Sequence, residues 1–328
     1  MDVPDYHLPE EAIAQVPVEP RDAARLLVAV GGPVRHLRVA DLPDLVGEGD
    51  VVVVNTSRVV PARLALRKAT GGAAEVLLLE PVPGRPGRWD ALVRPGRRLG
   101  PGTVLFSGSQ PVLEVGDRRP DGGREVQSLV DDLASFGSLA LPPYIHRELA
   151  DPERYQTVYA DRPGSVAAPT AGLHLTRPVL ERCRDNGAVV APVDLAVGLG
   201  TFRPIKAEQA EAHVMHAESY RIPESTWQAC LAARRVVAVG TTTVRALESA
   251  GATGLLEGRT ELYLRPGHHF SVVDLLMTNF HQPRSTLLVL LEAFAGPGWR
   301  DLYGLALEEG YRFLSFGDAM VVSRNAPD

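Results

Sequence analysis

Between residues 62 and 143 the chain reads as short strands cut by turns, while the sequence on either side alternates strand with helix. Short strand-like runs at 74–79, 89–93, 112–115 and 125–129 alternate with turns such as Pro83-Gly84, Pro95-Gly96 and Asp121-Gly122-Gly123. Strands so short, with turn signals so frequent, build a small β-barrel or sandwich. Leu141-Pro142-Pro143-Tyr144 makes a stiff exit from that stretch. At ~150 residues per domain, 328 residues suit about two domains. The expectation is an α/β fold, a mixed sheet with packed helices, formed by 1–61 and 144–328 and interrupted by an inserted β-barrel-like domain at 62–143.

Local patterns predict the flanking elements. Asp50-Val51-Val52-Val53-Val54-Asn55 is a β-branched run and reads as a buried strand. Pro9 followed by Glu10 and Glu11 suits the start of a helix over 8–15. Thr176 caps a helix with Pro178 in its first turn, running through Leu180 and Cys183 to a stop at Gly187, and a strand follows at 188–193. A strand at 236–239 meets Gly240-Thr241-Thr242-Thr243 and enters a helix at 244–249. Another strand at 272–277 leads through Thr278-Asn279-Phe280-His281-Gln282-Pro283 into a helix capped by Ser285 and ended at Gly296.

Charge narrows the function classes. The net charge of −6 excludes a generically sticky basic nucleic-acid binder. It hides an asymmetry: from Arg58 to Arg98 nine basic residues face three acidic ones, a local +6 that leaves −12 for the rest. A local basic patch on an acidic chain suits specific nucleic-acid contact, and equally a solvated surface in a chain whose only lysines are Lys68 and Lys206. Cys183 and Cys230 are too few for a disulfide framework. No run reaches the ~18 apolar residues of a membrane span, and the N-terminus carries no secretory signal core. These features predict a soluble cytoplasmic protein without a membrane partner.

Several segments are suited to chemistry. A strand delivering Gly240 and three threonines to a helix N-terminus offers backbone N–H groups to a phosphate or carboxylate, supplemented by Arg245; the bland alternative is a well-capped helix. Gly198 and Gly200 let backbone approach a ligand, but the third glycine of a dinucleotide fingerprint is missing. His213, His216 and Glu218 lack helical zinc-site spacing, so no metal is expected. Ser165, Thr170 and Gly172 lie in a small-residue stretch that ends at His174, which suits a planar ligand on main chain and contains no Gly-x-Ser-x-Gly elbow. Asn279 and His281 sit on a strand-to-helix loop, and Asp318 lies between aromatic and small residues.

These segments together resemble one family nearly end to end, the S-adenosylmethionine:tRNA ribosyltransferase-isomerases of queuosine biosynthesis. The resemblance is carried by Ile13-Ala14-Gln15 with Arg21-Asp22, and by 54–63, 141–145, 155–160, 164–174, 198–202, 215–218, 239–249, 278–286, 294–296 and 311–320. Three positions depart from it: Ala196 stands where the family usually carries His, Leu175 where it carries Phe, and Gln282 where it carries Leu.

The resemblance implies an α/β domain with an inserted barrel-like domain. It also implies transfer and isomerisation of the ribosyl part of S-adenosylmethionine onto 7-aminomethyl-7-deazaguanine at the tRNA wobble position, giving epoxyqueuosine and releasing adenine and methionine. S-adenosylmethionine is then a consumed substrate, and no cofactor is called for. The sulfonium acidifies the C5′ protons, which a general base must reach; His216, His281 and Asp318 are the candidates. His174 is the candidate acid for departing adenine. Thr241, Thr242 and Arg245 suit the methionine carboxylate, with Gly198 and Gly200 nearby in the substrate site, and Asn279 with Ser165, Thr170 and Gly172 suits the base. Arg58, Arg63, Arg94, Arg97 and Arg98 are expected on the phosphates of the anticodon stem-loop. The oligomeric state is left open. Two competing readings are a divergent transferase using a small-molecule acceptor and a non-catalytic tRNA-binding relative.

Overall fold

A computed structural model describes residues 2–82, 84–119, 122–198, 205, 215 and 217–325. Two compact units emerge, one of 1–58, 142–162 and 168–328, the other of 59–141 and 163–167.

In the larger unit Asp50–Asn55 is buried at every position, as a central strand covered on both faces must be. It lies between Val189–Leu195 and Arg235–Val239, parallel to both, and Leu275–Asn279 continues the parallel run. The full sheet has nine strands in the order Glu257–Thr260, Glu218–Arg221, Val189–Leu195, Asp50–Asn55, Arg235–Val239, Leu275–Asn279, Ala319–Ser323, Arg25–Ala29 and Arg35–Arg38. Ala319–Ser323 runs antiparallel to Leu275–Asn279, so the sheet is mixed.

Helices pack on it through the stripes their sequences display. The helix Arg177–Asp185 buries Val179, Leu180 and Cys183, and its cap Thr176 accepts from Val179 N–H at 3.4 Å. Thr286–Ala295 is apolar almost all round and accordingly buried, with Ser285 accepting from Leu288 N–H at 3.2 Å. Thr241–Thr253 begins at Gly240, whose φ of 88° turns the chain sharply from strand into helix. No helix among the described residues is long and apolar enough to cross a membrane.

Two local expectations are corrected. In place of a helix over 8–15 there is one 3₁₀ turn, Glu10–Ala12. The following backbone is taken by tertiary pairing: Ala14 N–H donates to the Phe313 carbonyl, and Phe313 N–H to that of Ala12. The strand expected at 272–277 begins only at Leu275. The buried Glu248 carboxylate accepts from the N–H groups of Ser271, Val272 and Val273, which holds those residues out of the ladder.

In the smaller unit, Arg63–Lys68, Ala73–Pro81, Arg88–Arg94, Arg124–Ser128, Gln110–Arg118 and Thr103–Ser107 pair antiparallel in that order. Arg67 opposite Phe106 and Lys68 opposite Leu105 close the six into a barrel, which removes the edges a small open sheet would expose. Its interior is filled by residues such as Leu64, Val76, Ala91, Leu105, Leu113 and Val126. The strands Arg63–Lys68 and Thr103–Ser107 are not among the strand-like runs read from sequence: the first exposes alternate residues and the second buries only Leu105.

Candidate active site

The parallel strands end together. Val193 lies opposite Asn55, and Val239 opposite both Val54 and Met277, so the loops after these strands leave from one edge of the sheet. The Asn55 amide ties two of those loops together. It donates to the Leu195 carbonyl at 3.0 Å and to Thr242 Oγ1 at 3.3 Å, and accepts from Leu195 N–H at 3.1 Å. The carboxyl edge of such a sheet is where ligands bind in open α/β folds.

Three adjoining depressions occupy this edge, with empty volumes of about 330, 330 and 350 Å³, and Leu287 lines all three. Thr241 and Thr242 are shared by the first and third, and Thr170, Asn279 and His281 by the second and third. Through these shared residues the three form one groove along the strand ends.

His281 is buried, and its Nε2 lies 2.9 Å from Thr278 Oγ1. Its backbone is gripped from two sides, donating N–H to Tyr303 OH at 2.8 Å and accepting from Tyr6 OH at 2.6 Å. Burial lowers its pKa to about 3, so at neutral pH its imidazole is uncharged. His174 is also buried, and its Nε2 lies 2.8 Å from Asn279 Nδ2. Burial first, then the positive charges of Arg312, Arg154 and Arg21, lower its pKa to about 3. Thr170 donates to Asn279 Oδ1 at 2.9 Å.

The structure thus gathers His281, Asn279, Thr170, Thr241 and Thr242 on one groove, with His174 directly behind Asn279. Other sequence candidates have different employment. Arg245 lines the first depression, but its guanidinium pairs with the buried Glu218 carboxylate and donates to the Leu262 carbonyl at 3.1 Å. Glu218 also accepts from Gly198 N–H at 2.8 Å, so Gly198 serves this pair. Both Asp318 oxygens accept from main chain, Arg25 N–H at 2.9 Å and Arg312 N–H at 2.8 Å, and Asp318 is not among the residues lining the three depressions. Ser165 lies in the barrel unit, where its hydroxyl donates to the Ala167 carbonyl at 2.6 Å. Gly172 is small for an internal reason: a Cβ there would collide with the Tyr159 hydroxyl. Gly200 and His216 lie outside the described residues.

Thr278, Leu287 and Tyr6 were not singled out from sequence. Leu287 reads as an ordinary core leucine, and Tyr6 is 275 residues from the carbonyl it holds. Among the described residues no three His, Cys, Asp or Glu side chains gather as a metal site needs.

The basic residues also divide. Arg58 pairs with Glu153 at 2.6 Å, and Arg63 bonds Glu75 through Nε at 3.0 Å and Nη2 at 2.6 Å. Arg94, Arg97 and Arg98 are exposed at one turn of the barrel unit and make no ion pair among the described residues. Of the five candidates these three are the ones left open to a phosphate.

Residues 2–322 match the family model described as queuosine biosynthesis protein. A relative from Thermus thermophilus, an S-adenosylmethionine:tRNA ribosyltransferase-isomerase, is 52% identical over 97% of this chain and 98% of its own. A relative of the same name from Rubrobacter xylanophilus is 49% identical over 97% and 96%. Among solved structures, the S-adenosylmethionine tRNA ribosyltransferase of Thermotoga maritima superposes with a TM-score of 0.55 at 35% identity, covering 97% of this chain and 98% of that one.

Proposed function

The chain belongs to the queuosine biosynthesis protein family, and from that premise we infer that it is an S-adenosylmethionine:tRNA ribosyltransferase-isomerase. The observation that carries this is similarity at 52% identity over nearly the whole of both chains. The competing readings, a small-molecule acceptor or a non-catalytic relative, are not favoured by a match of that extent. The reaction moves the ribosyl part of S-adenosylmethionine to the 7-aminomethyl-7-deazaguanine of the wobble position, and adenine and methionine leave. S-adenosylmethionine is consumed as a substrate, in the cytoplasm.

Within that reaction the groove supports these roles. The sulfonium makes the C5′ protons acidic, and His281, which lines the groove with Nε2 bonded to Thr278, is the base that takes one. Its two backbone tethers hold the imidazole in place, which limits the reorganisation that proton transfer requires. The methionine carboxylate lies against the N-terminus of helix Thr241–Thr253, where backbone N–H groups and the helix dipole favour an anion. Arg245 stays with Glu218 and does not reach the carboxylate. His174 is uncharged and faces Asn279, so departing adenine does not draw its proton from Nε2 of that residue. The anticodon stem-loop is held in part by Arg94, Arg97 and Arg98.

The deciding experiment incubates the protein and S-adenosylmethionine with deazaguanine-modified tRNA, unmodified tRNA or the free base, and measures adenine released. Release with modified tRNA alone is expected. Equal turnover of the free base, or none with any acceptor, overturns the assignment.

A further inference from the structure

Asn279 carries one amide whose orientation is settled by its neighbours. Its Nδ2 lies 3.4 Å from the Asp318 carbonyl, an oxygen that can only accept. The amide nitrogen therefore points that way, and the same nitrogen faces Nε2 of His174 at 2.8 Å. Nε2 must then be the accepting nitrogen, which places the imidazole proton on Nδ1. The positive charges of Arg312, Arg154 and Arg21 near this ring favour the neutral form that the arrangement needs.

The consequence is a fixed polarity in the groove. Both Asn279 N–H groups are spent on His174 and Asp318, and the Thr170 hydroxyl proton is spent on Asn279 Oδ1. What Thr170 and Asn279 have left are oxygen lone pairs, and both residues line the second and third depressions. Around them the third depression has small or apolar walls at Ala168, Pro169, Ala171, Val197 and Leu287, which suit a flat ring, and polar groups at Thr241, Thr242, Thr278 and His281. Among the described residues no carboxylate lines either depression, so these residues offer no counter-charge to a cationic ammonium there.

We infer that Thr170 and Asn279 form an acceptor-only strip that selects the N–H edge of a neutral purine-type base, and that His174 is the positioning residue that sets its polarity. This rests on the proposed function, which supplies two such bases: the adenine of S-adenosylmethionine and the deazaguanine of the tRNA. A base presenting only acceptors on that edge meets lone pair with lone pair and is rejected.

The test measures equilibrium binding to the full-length protein with two pairs of probes. One pair is S-adenosylmethionine and its analogue lacking the 6-amino group. The other is an anticodon stem-loop carrying 7-aminomethyl-7-deazaguanine and the same stem-loop with a base lacking the 2-amino group. The wild-type protein is expected to prefer the amino-bearing member of one pair by about tenfold, and that pair names the base on the strip. Thr170→Val, nearly isosteric, removes one of the two acceptors and is expected to reduce the preference severalfold. His174→Gln keeps an acceptor toward Asn279 and retains the preference, whereas His174→Leu loses it; a purely structural role would leave the ratio unmoved. Wild-type indifference within both pairs, or a preference undiminished in both Thr170→Val and His174→Leu, overturns the inference. Adenine release by the same wild-type preparation judges the enzymatic reading separately.

Discussion

Thr278 Oγ1 lies 2.9 Å from Nε2 of His281, a bond that leaves Nδ1 as the imidazole nitrogen with no hydrogen-bond partner among the described residues. The two side chains are the first and fourth residues of one strand-to-loop turn. The geometry depends on Tyr303 and Tyr6 holding the His281 backbone from outside that turn.

If this imidazole removes the C5′ proton, His281→Gln lowers kcat for adenine release by about 10²–10⁴-fold and leaves both KM values within a few-fold. Glutamine fills the site and keeps a hydrogen bond to Thr278, so folding is preserved. A kcat within fivefold of wild type would place proton removal on another group.

Both buried histidines make stability depend on pH in a defined direction. Their pKa values are lowered to about 3 in the folded chain, against ~6.5 when unfolded. Above ~6.5 neither state takes up these protons, and their contribution to stability is complete. As pH falls from there toward 3 the unfolded chain binds two protons that the folded chain refuses, so stability drops by up to ~2.7 kcal/mol per pH unit from this pair. Urea midpoints measured from pH 8 to 5 should show the decline, and His281→Gln should halve the part due to the pair.

Removing one member of the Glu218–Arg245 pair strands the other in the interior. Glu218→Gln is expected to cost about 3–5 kcal/mol in urea unfolding, and adding Arg245→Met to recover part of that loss. A double mutant as unstable as the sum of the two single mutants would mean that the residues do not act as a pair.

Arg97→Ala with Arg98→Ala is expected to leave the unfolding midpoint unchanged, because both side chains are exposed. Binding of the anticodon stem-loop should weaken, and the slope of log K against log salt should fall by roughly one for each phosphate no longer neutralised. Arg63→Ala, which breaks an existing bond to Glu75, should change that slope less. An unaltered slope in the double variant would remove this turn from the tRNA site.

Gly172→Ala places a methyl against the Tyr159 hydroxyl and should destabilise by about 1–3 kcal/mol. Adding Tyr159→Phe should relieve part of that, measurable as a recovered melting temperature. Equal loss in both backgrounds would point to a different clash.

What the sequence determined on its own was local or cumulative. The buried run at Asp50–Asn55, the Thr176 and Ser285 caps, the turn at Gly240 and the barrel-like texture beyond residue 62 each rest on residues a few positions apart. The family likeness rests on many such segments in order. Which candidates share a groove was decided by tertiary structure, because a side chain's free valences depend on partners remote in sequence. Asp318 is tied to the main chain of Arg25, 293 residues away, a partner that no local pattern names. Arg245 looked like an anion ligand until Glu218 claimed its guanidinium. No periodicity encodes such pairings; they arise when the sheet order brings distant strand ends to one edge and burial obliges each polar group there to find a partner.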